Sequence, residues 1–296
     1  MPPVVLVTGG AGAVGARLVP KLREAGWHTR CLVHRRPVEG ADELVRGDLA
    51  DAASLDRPAV GAAAVLHLAA LTHSRNPRAY YEVNVGGTAR LLDAARRGGA
   101  RRFVLVSTRA IAEDGGAYSR SKARSEAAVA EAGLEHTIVR LPEVYGAGSR
   151  EGVDRIVEKA RAGGVIPLVG DGSDHACPAF VDDVIRALVA SLSSPAAGGK
   201  TYTLAGECMT LRELADRCLR FYCSGGRVQP IPVPAVRLLG ALGRIAPVPV
   251  YPDQLRRLRA EKPPPSREAH RELGFEPRSL EEGLRTLTDD APSVGA

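Results

Sequence analysis

Aromatic side chains are scarce in this chain, 4% of 296 residues with a single Trp. Few platforms are therefore available for stacking bases, and the Lys and Arg residues are dispersed through helical stretches, so no nucleic-acid partner is expected. Cysteine is equally sparse. Cys31, Cys177, Cys208, Cys218 and Cys223 make an odd count with no CxxC spacing, which predicts neither a disulfide framework nor a zinc or other metal site. No apolar run reaches the roughly 18 residues a membrane span needs, and the first residues lead straight into a strand with no signal-peptide pattern. A cytoplasmic protein without stable membrane insertion is the expectation. The 45% hydrophobic content is ordinary for a globular chain, and at this length folding buries roughly three-quarters of the extended surface. Taken alone, the net charge of +6 would fit nucleic acid, a membrane surface or an anionic small molecule; the dispersal of the basic residues removes the first.

Short β-branched runs alternate with helical stretches through the first half. Val4-Val5-Leu6-Val7 is a continuous apolar run, the pattern of a strand buried on both faces, and similar runs recur at 29–33, 64–68, 103–106 and 137–139. Helical segments are predicted between them at 14–25, 80–97 and 118–132. This alternation implies βαβ units and an α/β fold: a Rossmann-type, doubly wound parallel sheet. The rhythm changes after Gly146. Helices are predicted at 152–161, 181–191 and 211–222, a strand at 200–204, and a Pro-punctuated apolar stretch at 231–251 that reads as a core helix or a lipophilic lid. The expected division is a nucleotide-binding domain of residues 1–146 plus about 178–206, a smaller C-terminal α/β substrate lobe of 147–177 plus 207–288, and a frayed tail at 289–296.

Thr8-Gly9-Gly10-Ala11-Gly12-Ala13-Val14-Gly15 follows the first strand. Gly9 permits the turn, Gly12 lets backbone approach a pyrophosphate, and Gly15 lets helix pack on strand, while the amides of Ala13 and Val14 open the helix toward the anion. A glycine pattern alone would fit any tight turn; its place between a buried strand and an amphipathic helix points to a dinucleotide. The second strand ends in His34-Arg35-Arg36, with no acid before Glu39 to hold a ribose 2′-hydroxyl. Basic side chains there suit a 2′-phosphate and favour NADP over NAD, the alternative being a solvated charged loop. Asp48, in Gly47-Asp48-Leu49, is placed to accept from an adenine amine or to cap a helix.

Tyr118 and Lys122 stand four apart on a predicted helix and project from one face. An ammonium beside a phenol stabilises phenolate, which makes Tyr118 a candidate proton donor or acceptor for a carbonyl/alcohol pair. Thr108, at the end of the preceding strand, is placed to hydrogen-bond the same oxygen.

Taken in order, these motifs resemble an extended short-chain dehydrogenase/reductase, the NAD(P)-dependent epimerase/dehydratase superfamily. The resemblance runs nearly end to end. It includes the Thr8–Gly15 loop, Gly47-Asp48-Leu49, His67-Leu68-Ala69-Ala70, Asn84-Val85-Gly86-Gly87-Thr88, and Tyr118 with Lys122. Arg140-Leu141-Pro142-Glu143-Val144-Tyr145-Gly146, Gly170-Asp171-Gly172 and Phe180-Val181-Asp182-Asp183-Val184 complete it. It implies that Tyr118 is the acid/base, that Lys122 binds the nicotinamide ribose and tunes Tyr118, and that Thr108 orients the reacting oxygen. It further implies that Leu49, Leu68, Ala69, Ala70, Pro142 and Val144 line the cofactor, and that a homodimer pairs helices 80–97 and 118–132. His67 and Asn84 read as structural hydrogen-bonders.

Four departures narrow the substrate. Nine residues separate Thr108 from Tyr118, fewer than in sugar-nucleotide members. Glu143 stands where those enzymes carry an Asn, and a carboxylate there repels a diphosphate unless paired. Ala176 lies near the place of their phosphate-binding Arg. Arg109-Ala110 replaces the Asp-Glu pair of the 4,6-dehydratases. The expectation is NADP(H)-dependent hydride transfer to or from a secondary alcohol/ketone of a small to medium, fairly apolar substrate, as in the hydroxysteroid-dehydrogenase and flavonoid-reductase branches. A sugar epimerase holding NAD, and a non-catalytic dinucleotide-binding subunit, are the alternatives.

Overall fold

The computed structural model describes residues 1–149, 151–235 and 252–289. The apolar stretch expected at 231–251 lies outside them from residue 236 onward, as does the tail beyond residue 289. A seven-stranded parallel sheet forms the centre. Its strands are β1 (Val4–Thr8), β2 (His28–Val33), β3 (Glu43–Arg46), β4 (Ala64–His67), β5 (Arg102–Thr108), β6 (Glu135–Leu141) and a last strand, Lys200–Thr203. Across the sheet the order is Lys200–Thr203, β6, β5, β4, β1, β2, β3. The chain winds outward from β1 in one direction and from β4 in the other, so the C-terminal ends of β1 and β4 face a crevice where the order reverses.

Both faces of the strands are apolar because both are covered. Val5 and Val7 of β1, Leu66 of β4 and Val104 and Val106 of β5 pack on one side with Leu18, Val19 and Leu22 of helix α1 (Ala13–Glu24) and with Val184 and Leu188 of the Val181–Ser193 helix. Leu6, Val65, Phe103 and Leu105 point the other way. They meet Leu55 of α2 (Ala53–Ala59), Leu91 and Leu92 of α4 (Gly87–Gly98) and Val129 of α5 (Gly116–Glu131). This accounts for the unbroken apolar runs in the sequence, which an alternating strand with one wet face would not show.

The helix expected at 80–97 is not one regular helix. A short α3 (Pro77–Tyr80) runs into a π-helical turn, Tyr81–Gly86, before α4 begins. The widened turn carries Asn84. Its Oδ1 accepts from the Leu71 amide (2.8 Å), and its Nδ2 donates to the Leu71 carbonyl (3.1 Å) and to Ser121 Oγ (3.0 Å). π-Turns of this kind concentrate at functional sites.

Outside the central sheet the strands form smaller pairs. Val165–Val169 runs parallel to Arg227–Ile231, and His175–Ala176 pairs antiparallel with Met209–Thr210. The latter pairing places Met209 opposite Ala176, so the next residues along, Cys208 and Cys177, also face each other, and they form a disulfide. The odd cysteine count gave no sign of this, because the contact depends on a two-residue ladder between segments 31 residues apart. Asp183, fully buried, holds the segment leading into the Leu280–Asp289 helix: it accepts from the Arg278 amide and guanidinium and from Arg186.

His67, at the end of β4, sits in a chain of buried hydrogen bonds. Thr88 Oγ1 donates to the Asn84 carbonyl (2.5 Å), so it accepts from His67 Nε2 (3.1 Å). Thr8 Oγ1 accepts from the Ala69 amide (3.2 Å) and donates to His67 Nδ1 (2.6 Å). The network thus assigns a neutral imidazole with its proton on Nε2. Burial, reinforced by the Lys122 charge, pushes the His67 pKa down to about 3, against an unfolded value near 6.5. Above pH 6.5 the ring is neutral folded or unfolded. Below it the unfolded chain takes up a proton that the folded chain refuses, so stability falls as the pH drops toward 3. His67 should contribute up to about 1.4 kcal/mol per pH unit to that fall. Urea unfolding between pH 6 and pH 4 should therefore show a distinctly shallower slope in His67→Gln than in the wild type. Equal slopes would contradict the assignment.

Candidate active site

Every element expected to supply the site ends at the C-terminal edge of the sheet. Gly9 has φ +76°, and a Cβ there would fall 2.7 Å from the Ala69 amide nitrogen. Only glycine lets the loop pass so close to the end of β4. Gly12 is the N-cap of α1 and has no side chain with which to cap it. The first-turn amides of Ala13, Val14 and Gly15 lack a carbonyl four residues back. This uncapped N-terminus, with no acidic residue in its first turn, fits a dinucleotide pyrophosphate. Leu68, Ala69 and Ala70 follow β4 and are half-buried against the same loop. Pro142 and Val144 follow β6, Val144 pairing with Ala179.

His34, Arg35 and Arg36 are exposed beyond β2. His34 Nε2 lies 3.3 Å from Asp48 Oδ2. Asp48 Oδ1 accepts from the Ala50 amide at 2.9 Å, so Asp48 closes a local turn while α2 starts later, with Ala52 as its N-cap. Leu49 packs under α4, and its carbonyl accepts from Arg90 Nε at 2.6 Å.

Tyr118 is buried near the start of α5, edge-on to Tyr80 (ring centroids 5.8 Å apart) and hydrogen-bonded to Thr108. Lys122, one turn on, is buried too, but its Nζ donates to the Val106 carbonyl at 2.9 Å. Burial brings its pKa down to about 8, opposed by Glu126. The cation that faces the phenol ring is a different one. Arg257, from the Pro252–Arg259 helix, places its guanidinium 4.4 Å from the Tyr118 ring centroid. Burial raises the Tyr118 pKa, and the Arg257 charge and the Thr108 hydrogen bond pull it back only in part.

Beneath this group, Glu126 is nearly buried. It accepts from Ser107 Oγ (2.5 Å) and from both Arg140 Nε (3.0 Å) and an Arg140 terminal nitrogen (2.6 Å). Arg140 of the Arg140-Leu141-Pro142 segment is therefore tied to α5. Glu143, the residue that would repel a diphosphate, is neutralised. Lys262 Nζ donates to Glu143 Oε1 (2.7 Å) and to the His175 carbonyl (3.0 Å), and the Cys177 amide donates to Glu143 Oε2 (3.2 Å). Burial opposes ionisation of Glu143, but Lys262 and these hydrogen bonds prevail, so its carboxyl lies below the ordinary range. Arg109 Nε donates to the Pro263 carbonyl at 3.1 Å. The Glu261-Lys262-Pro263-Pro264-Pro265 segment thus straps over the site. Sequence reasoning missed Arg257 and Lys262 as site residues; the unpaired acid at Glu143 was the one signal that a distant cation should be sought. Among the described residues no cluster of His, Cys, Asp and Glu could hold a metal, and no helix is long and apolar enough to cross a membrane.

Residues 5–205 match the NAD dependent epimerase/dehydratase family. The chain is 30% identical to the 2-alkyl-3-oxoalkanoate reductase of Stenotrophomonas maltophilia, an alignment covering 96% of this chain and 98% of that protein. It is 37% identical to the ceramide reductase of Caulobacter vibrioides over 66% of this chain and 62% of that one. Among solved structures it is similar to a Thermus thermophilus UDP-glucose 4-epimerase in complex with NAD, with a TM-score of 0.77, 25% identity and 97% and 98% of the two chains covered. The chain belongs to the NAD-dependent epimerase/dehydratase family and is an NAD(P)-dependent enzyme of the short-chain dehydrogenase/reductase type.

Proposed function

We propose that this enzyme transfers hydride between NADP(H) and the secondary alcohol/ketone carbon of a small to medium, fairly apolar substrate. The observation that carries the proposal is the pairing of Tyr118 with Thr108 at the mouth of the crevice. Buried Lys122 lies one turn further along the same helix. When bound, a nicotinamide supplies or accepts the hydride. Tyr118 gives its proton to the carbonyl oxygen during reduction and takes it back during oxidation, while Thr108 orients that oxygen. In this reading Lys122, whose Nζ also donates to the Val106 carbonyl, binds the nicotinamide ribose. Gly9, Gly12 and Gly15 with the amides of Ala13 and Val14 hold the pyrophosphate. The half-buried Leu68–Ala70 edge and the segment from Pro142 to Val144 line the cofactor, and Asp48 and Leu49 flank its adenine. The reductase names of both curated relatives support this direction of chemistry.

Loss of a positioned general acid typically costs a factor of about 10² to 10⁴. Tyr118→Phe should therefore lower kcat by roughly that factor on a medium-chain ketone while leaving NADPH affinity within about threefold, because the phenol's role lies in proton transfer. Unchanged turnover would remove Tyr118 from the mechanism. An epimerase reading, favoured by the likeness to the UDP-glucose 4-epimerase, predicts no net consumption of NADPH at 340 nm during turnover.

Exposed Arg35 beyond β2 supports NADP over NAD. A 2′-phosphate contact with a guanidinium is a charge-assisted hydrogen bond. Calorimetric titration should show Arg35→Ala weakening NADPH binding by about tenfold or more, with NADH binding unchanged. Equal NADPH affinity in the two proteins would overturn the 2′-phosphate assignment.

A further inference from the structure

The Pro252–Arg259 helix packs on α5, and its Arg257 guanidinium stands 4.4 Å from the Tyr118 ring centroid. What keeps it there lies just beyond the helix end. The Ala260 amide still donates to the Arg256 carbonyl (2.9 Å), so Lys262 follows two residues after the last helical hydrogen bond. Its side chain, only 9% exposed, bridges two segments: the ammonium donates to Glu143 Oε1 at 2.7 Å and to the His175 carbonyl at 3.0 Å. The next residue, Pro263, accepts from Arg109 at 3.1 Å, and Arg109 directly follows Thr108. The far end of the strap is fixed to the sheet. There the Ser266 amide donates to the Thr203 carbonyl (2.9 Å), and Ser266 Oγ accepts from the Thr203 amide (2.8 Å). Three consecutive prolines, Pro263 to Pro265, stiffen the span between. Of these ties only the one between Glu143 and Lys262 is ionic.

We infer that Glu143 and Lys262 are positioning residues: their ion pair fastens the strap so that Arg257 stays over the ring of Tyr118. They act through the helical turn that joins Lys262 to Arg257. An ammonium buried this far is unfavourable without its counter-charge. Loss of the Glu143 charge therefore drives Lys262 toward water and lifts the end of the helix with it, and the guanidinium leaves the ring face. That contact matters in two ways. A cation is attracted to an aromatic face, and the Arg257 charge, together with the Thr108 hydrogen bond, opposes the effect of burial on the phenol. A phenol that ionises less readily is a poorer partner for a proton that must pass in both directions. The carboxylate at position 143 thus has a use in this chain, since an uncharged side chain there would leave Lys262 unpaired. The tie does not depend on which substrate the cleft takes; only its consequence for turnover rests on the reductase reading above.

Tyr118 itself reports the contact without any turnover. The protein is labelled with carbon-13 in its tyrosine rings, and the Tyr118 resonance is identified by its loss in Tyr118→Phe. Arg257→Met should shift that resonance. Glu143→Gln and Lys262→Met should shift it in the same direction, whereas Lys262→Arg, which keeps a cation for Glu143, should hold it near its wild-type position. In the Arg257→Met background Glu143→Gln should add no further shift. A resonance that moves in Arg257→Met but in neither charge variant overturns the inference, as does one that Arg257→Met leaves unmoved. A full further shift in the double variant would mean that Glu143 acts on the ring without Arg257, and also overturns it. NADPH oxidation with a medium-chain ketone then reads the consequence for catalysis. Glu143→Gln and Arg257→Met should each lower kcat by roughly threefold to tenfold, and the double variant should be no slower than Arg257→Met alone, because the two act along one path. Losses that multiply contradict the inference. If the wild type oxidises no NADPH with the ketone, the reductase reading fails, and the Tyr118 resonance alone decides whether the pair positions Arg257.

Discussion

One buried chain of hydrogen bonds joins the two halves of the site. It starts at Thr8, the last residue of β1 before the glycine loop, and passes through His67 and Thr88 to the Asn84 backbone. The Asn84 side chain continues it to Ser121, whose hydroxyl donates to the Tyr118 carbonyl at 2.7 Å. Ser125 closes a second link by donating to the Asn84 carbonyl at 2.9 Å. Each polar group on this path is buried, and each would cost on the order of 1–3 kcal/mol if left unpaired. Neutral His67 is the pivot, accepting on one ring nitrogen and donating on the other. The loop shaped for a dinucleotide and the helix that carries Tyr118 are therefore held in one register, as a hydride donor and a proton donor acting on the same carbonyl require.

Around that frame the electrostatics are divided between two regions of the chain. The sheet and its helices supply Tyr118, Thr108 and Lys122, and bind Glu126 to Arg140 as a near-buried pair. Residues after position 250 supply the rest. Arg257 stands over the phenol, Lys262 neutralises Glu143, and Pro263 receives Arg109. A carboxylate at position 143 is tolerable for this reason. The overall +6 charge of the chain says little by comparison; the functional charges are individual ones in defined places.

The parts legible in the sequence are those in which backbone geometry or local spacing determines residue type. Gly9 must be glycine because of its positive φ and the close approach of Ala69. The apolar runs of β1, β4 and β5 are unbroken because helices cover both faces. Tyr118 and Lys122 fall on one helix face by their four-residue spacing. Contacts between distant segments left no local trace. Lys262 and Glu143 are 119 residues apart, and the Cys177–Cys208 disulfide depends on the register of a two-residue ladder. The Tyr118–Lys122 spacing suggested an ammonium against the phenol, but the ammonium is drawn to the Val106 carbonyl and the guanidinium of Arg257 takes the ring face. The π-turn at Tyr81–Gly86 was equally hidden, since it serves Asn84's bonds to Leu71 and Ser121 and no periodicity announces it.

The central claim is that hydride passes between a nicotinamide and a substrate carbonyl held by Tyr118 and Thr108. The most direct measurement is isotopic: turnover of a medium-chain ketone with NADPH carrying deuterium at both C4 positions, read by mass spectrometry and proton NMR of the product. The account predicts a single deuterium on the newly formed carbinol carbon, with one equivalent of cofactor oxidised. Product without deuterium, or label that never leaves the cofactor, would contradict it.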